Sequence, residues 1–178
     1  MPYQIVVDPL TGISPGPGAQ GRITGLMPTS AQTKGTLVGK MGKRTGKTEG
    51  KITGTYSWYG VTGIVADFFA DKGDSGGPVW RWDGNGLRAV GVQVGVLHHQ
   101  LTQKYIGAVY IPIETLLAQW GNASLPVFSS PTARMVRDDA RIGPTSEQMI
   151  LIPSGPPSDV PDGLEDVCAD IPCEFVEG

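Results

Sequence analysis

Glycine and proline recur from the first residues of this chain to Pro112, and they decide what it can become. Inside a helix, Gly costs about 1 kcal/mol and Pro about 3 kcal/mol relative to Ala. With 26 glycines and 15 prolines in 178 residues, a helical bundle or coiled coil is excluded. The glycines follow no Gly-X-Y period, which excludes collagen. The chain is 39% hydrophobic and carries four Trp, too apolar for disorder throughout. A turn-rich, all-β protein is expected.

Three segments differ in composition. Residues 1–21 hold one candidate strand, Tyr3–Val7, and an uncharged Gly/Pro linker, Thr11–Gly21. Residues 22–121 alternate strand and turn. Candidate strands are Ile23–Met27, Thr36–Met41, Glu49–Ser57, Thr62–Asp67, Pro78–Trp82, Leu87–Val96 and Lys104–Ile111. Asp83-Gly84-Asn85-Gly86 is a strong hairpin turn signal. Short strands at this spacing suggest a barrel or sandwich. Pro112–Trp120 reads as one short helix, with Ile113, Leu116, Leu117 and Trp120 on one face and Gly121 closing it.

Residues 122–178 read as a Pro-rich, acidic, partly disordered tail, with Met149–Pro153 as one further strand. Residues 1–120 carry a net charge of +4 and residues 121–178 a net of −7. An acidic appendage on a mildly basic body follows. No apolar run approaches the roughly 20 residues of a membrane span, so no membrane partner is expected. The N-terminus shows no basic region leading into an apolar stretch, so no signal peptide is visible. Cys168 and Cys173 have the spacing of a small local disulfide or of two free thiols. Two ligands alone make a poor zinc site, and no metal or cofactor is expected.

Gly73-Asp74-Ser75-Gly76-Gly77-Pro78 is the string with the most chemistry in it. Ser75 is a weak nucleophile until a base takes its proton. Glycines on both sides allow a sharp turn that leaves the hydroxyl exposed. The N–H groups of Gly73 and Ser75 could point together beside it, as donors to the oxyanion of a tetrahedral intermediate. Asp74 needs a cationic or N–H partner to hold the loop; Arg22 and Arg44 are the candidates.

This string resembles the GDSGGP nucleophile motif of the chymotrypsin/trypsin-like serine proteases, and the match is complete over Gly73–Pro78. Leu37–Thr53 is similar to a Gly- and Thr-rich hairpin of the family's bacterial, streptogrisin-like branch. Val90–Val96 resembles the strand that pairs with substrate backbone, and Gly107–Tyr110 the strand closing the specificity pocket. The helix at Ile113–Trp120 is similar to the family's C-terminal helix. The resemblance covers about residues 22–121 and implies an antiparallel Greek-key six-stranded β-barrel, the second of the family's two, followed by a short helix and an extended tail. It also implies a secreted or extracellular setting and a protein or peptide substrate.

In that register the pocket walls are Phe69, Ala70 and Asp71, then Val94, Gly95 and Val96, then Ala108. Phe69 stands at the pocket base where trypsin-type members have an acid, which argues against Arg or Lys specificity. Val96 and Ala108 stand where wide pockets often have glycine, which implies a small apolar pocket. Asp71 keeps a basic group open as an alternative.

The family also needs a His base and an orienting Asp upstream of the serine. No histidine precedes Ser75; the two present are His98 and His99. The implied first barrel is absent from this chain. Three readings stay open. The His/Asp barrel is supplied by a separate chain or fragment, the chain is an inactive barrel used for binding or assembly, or His98 or His99 is a substitute base. Lys34, Lys40, Lys43, Arg44, Lys47 and Lys51 form a basic stretch that could meet phosphate backbone. Strand alternation accounts for them as the solvated face of a hairpin. No stacking aromatics accompany them, and nucleic acid is not the expected partner.

Overall fold

The computed structural model describes residues 23–84, 86–121, 123–128, 149–152, 161 and 163–178. The Tyr3–Val7 strand and the Thr11–Gly21 linker expected from the sequence lie outside these residues, as does much of the acidic tail.

Among the described residues the protein is mostly β-sheet with one short α-helix, an all-β architecture. Its strands are β1 (Ile23–Leu26), β2 (Leu37–Gly42), β3 (Gly46–Trp58), β4 (Val61–Ala66), β5 (Pro78–Trp82), β6 (Leu87–His99) and β7 (Tyr105–Pro112). The helix α1 (Ile113–Gln119) follows, then β8 (Leu125–Phe128), β9 (Met149–Ile152) and β10 (Cys173–Glu177). Each strand expected between residues 23 and 112 is present, most with ends shifted by a few residues. The acidic tail yields two strands that composition hides, β8 and β10.

Antiparallel neighbours run β6–β5–β2–β3–β4–β7, and β7 pairs with β6 again, so the path returns to its start. The pairing is uneven: β2 and β5 share only Gly39↔Trp80 and Lys40↔Val79. β1 lies parallel to β6 beside Leu87–Ala89, and β8 pairs with β9 in a small separate sheet.

Period-two alternation explains the core. One buried cluster takes side chains from every strand of the returning path: Val38, Ile52, Ile64, Ala66, Val79, Val90, Val96, Ala108 and Tyr110. The neighbours between these residues face the other way. Val65, Leu97 and Val109 form a second cluster, covered by Phe175 and by the Cys168–Cys173 disulfide. These outward residues are buried because the C-terminal segment lies over them. A third cluster sets Ile23, Trp80, Leu87 and Ala89 against Ile113 of α1.

Turn chemistry follows the sequence. Asp83 N donates to Gly86 O at 3.2 Å, and Gly86 N donates to the Asp83 carboxylate at 3.0 Å. Between β3 and β4, Tyr59 and Gly60 both have positive φ, as a two-residue hairpin requires. In α1, Leu117 is buried as expected, but Trp120 caps the helix end and is 72% exposed. The helix ends one residue before Trp120, so Trp120 is not held on its apolar face.

Candidate functional site

The long strand β6 has more edge than one neighbour can cover. β5 pairs with it from Leu87 to Val92, and β10 pairs with it from Gly95 to His99. The gap between them falls at Gln93 and Val94. The loop entering β5 fills that gap: Gly76 N donates to Gln93 O at 2.8 Å, and Gln93 N donates to Gly77 O at 2.9 Å. Ser75 is thereby set against Val94, and its Oγ donates to Val94 O at 2.9 Å.

Asp74 fixes the loop from inside. Its carboxylate accepts from Arg44 N at 2.7 Å, Thr45 N at 2.9 Å, Thr45 Oγ1 at 2.5 Å and Asp71 N at 3.1 Å. Lys40 Nζ completes the cage at 3.1 Å, and both side chains are 0% exposed. Burial by itself would raise the Asp74 carboxyl. The bonds from Thr45, Asp71 and Lys40 outweigh it and hold the group well below the usual carboxylate range. Burial lowers the Lys40 ammonium from its ordinary value, against the pull of Asp74. Lys40 also donates to Thr45 Oγ1 and, at 3.0 Å, to Gly46 O.

This corrects the expected partner. Arg44 reaches Asp74 only through its backbone N–H, while its guanidinium turns outward to Asp71 at 3.3 Å. Arg22 lies outside the described residues. Lys40 belongs to the basic stretch assigned to a solvated face, yet it is sealed in the interior. Its parity shows why. Lys40 is two residues after the buried Val38, so β2 aims both inward.

The backbone of the loop carries the donors. Gly73 has φ of +103°, a conformation that side chains disfavour. Among the described residues, neither the Gly73 N–H nor the Ser75 N–H finds a hydrogen-bond acceptor. Two free donors thus flank the Ser75 hydroxyl in sequence.

The expected pocket residues separate into two groups. Ala70, Val96 and Ala108 share the main buried cluster. Phe69 is exposed and leans on the Tyr105 ring at 5.5 Å. Asp71 is held at the surface by Arg44. Tyr105, which the sequence reading passed over, ties this region together. Its hydroxyl donates to Phe68 O at 2.6 Å and accepts from Ala70 N at 3.2 Å. Burial raises its phenol well above the ordinary value.

The histidines stand apart from Ser75. His98 is four residues beyond Val94 on β6, roughly 13 Å at 3.3 Å per residue, with its ring edge-on to Tyr105. His99 Nδ1 accepts from Leu101 N and Thr102 N in the turn that follows. Neither is placed as a base for Ser75. Among the described residues, no group of three His, Cys, Asp or Glu side chains is placed to hold a metal.

The largest departure from the sequence reading is the occupant of the site. β10 runs antiparallel along β6 with Phe175↔Leu97, Val176↔Val96 and Glu177↔Gly95. Gly178 then reaches Ser75, and its N–H points at Val94 O at 3.4 Å. Part of a segment read as an appendage therefore lies on the strand expected to hold substrate. Among known proteins, the chain matches no family model and no curated protein.

Proposed function

We propose that this chain is the nucleophile-bearing part of a trypsin-like serine endopeptidase, built on a six-stranded antiparallel barrel whose strands are β2 to β7. One observation carries the reading. A serine on a glycine-flanked turn, braced by a buried aspartate, has two acceptor-free backbone N–H groups around it and a strand edge beside it.

The chemistry follows from those parts. Ser75 Oγ attacks the carbonyl carbon of a peptide bond, and its proton passes to a base. The N–H groups of Gly73 and Ser75 hold the negative oxygen of the tetrahedral intermediate. Collapse expels the amine, which takes up that proton, and leaves an acyl-enzyme that water hydrolyses. The base and its orienting acid come from a separate chain or fragment carrying a His/Asp barrel. By itself the chain retains only the small catalysis that oxyanion donors give without a base.

A second reading has its own support. The Ser75 hydroxyl is donated to Val94 O rather than to a base. A catalytically inactive trypsin-like barrel, used for binding or assembly, has no need of a free nucleophile.

Labelling with a fluorophosphonate probe separates the two. The protease reading expects Ser75 to be modified, weakly in the chain alone and strongly with a complementary His/Asp barrel, and Ser75→Ala to abolish it. Absence of labelling under both conditions leaves the binding module.

A further inference from the structure

We infer that segment 174–178 is docked as the cognate strand of the groove at Ser75. The groove then accepts extended peptides with glycine beside Ser75, an aliphatic residue two positions before it and an aromatic residue three before. This rests on the reading of Ser75 as the reacting group and specifies its substrate class.

The register makes the docking substrate-like. Antiparallel pairing over Gly95–His99 continues through the Gly178 N–H to Val94 O, the carbonyl that also accepts from Ser75. Backbone bonds of this kind give strand addition its affinity, and alternate side chains give it selectivity.

Each position has a physical reason. At 178, an added Cβ would collide with Ser75 Oγ and stand 2.8 Å from Ser75 Cβ. Ala70, Val96 and Ala108, the expected pocket walls, are already packed in the core. Only glycine fits in this pose. At 176, the valine packs against that same core cluster. At 175, the phenyl ring lies 5.4 Å from the Tyr56 ring and 5.0 Å from the Trp58 ring. Gly95 makes room for it, since a Cβ there would stand 2.6 Å from the Phe175 ring. Glu174 and Glu177 are exposed, so the groove makes no comparable demand at those positions.

The test uses full-length protein and fluorescein-labelled Glu-Phe-Val-Glu-Gly. Val176→Pro takes a ladder N–H from β10 and should vacate the groove. Phe175→Ala is a gentler second variant, should the first not fold. The peptide should bind the vacated variant at least ten-fold more tightly than wild type. A peptide ending in Phe instead of Gly should bind that variant at least ten-fold more weakly. Equal binding to wild type and variant overturns the inference. So does equal binding of the two peptides, or no binding to a variant whose circular dichroism and thermal transition are native. Fluorophosphonate labelling reads Ser75 independently, so its failure removes the protease reading without touching the peptide preference.

Discussion

Lys40 Nζ lies 3.1 Å from Asp74 Oδ2 with both side chains closed off from solvent, joining strand β2 to the loop that carries Ser75. A buried pair is costly to break from one side, because the remaining charge loses its counter-ion and no water replaces it. Lys40→Met should therefore lower unfolding free energy by about 3–5 kcal/mol. The double variant Lys40→Met/Asp74→Asn should lose less than the two single changes together. Urea denaturation of the four proteins checks this. Additive losses would show that the two groups act independently.

The same cage sets an acid response. The folded-state value of Asp74 is depressed below its unfolded value of about 4. A depressed carboxyl contributes stability that is fully present above the unfolded value and is lost as pH falls through the folded one. Wild type should hold a constant advantage over Asp74→Asn between about pH 5 and 7, then lose it progressively below about pH 4. Denaturant midpoints measured across that range give the comparison. An advantage that grows on acidification would contradict the assignment.

Much of the frame is legible in the sequence, and the reason is period. Ile64, Val65 and Ala66 alternate between two buried clusters, and the Asp83–Gly86 turn announces its hairpin. What sequence concealed depends on cover rather than on pattern. Lys40 looks like one lysine among several until Asp74 is found inside the sheet. Tyr105 has no local signal, because both of its hydrogen bonds reach more than thirty residues back. The segment Cys173–Glu177 sits in an acidic, Pro-rich stretch. Its strand character comes from the free edge of β6 and from aromatic partners more than a hundred residues away.

Tyr105→Phe removes the bridge between Phe68 O and Ala70 N and leaves both backbone groups short of a partner. The expected loss is about 1–3 kcal/mol of stability, with faster amide exchange over residues 68–71. Hydrogen–deuterium exchange by mass spectrometry reads both the place and the size of the effect. Unchanged exchange in that loop would show that the phenol does not brace it.

Gln93 presents the opposite case. It is fully buried, and among the described residues its side-chain nitrogen and oxygen both lack a hydrogen-bond partner. A buried amide without partners is destabilising, so Gln93→Met, close in size, should raise stability by about 1 kcal/mol or more. Thermal unfolding of the isolated chain is the check. A lower melting temperature would mean that the amide is satisfied by something else.

The division of β6 between β5 and β10 has a kinetic side. A tethered strand competes at its effective concentration, on the order of millimolar for a short connection. A free peptide at micromolar levels meets a groove already occupied, and its entry is timed by how often β10 lifts away. The Cys168–Cys173 bridge ties the first residue of that strand to the segment before it and shortens its tether. Reducing the bridge should lower the effective concentration and quicken exchange with free peptide, so that the thiol state of two half-buried cysteines sets the tempo at Ser75.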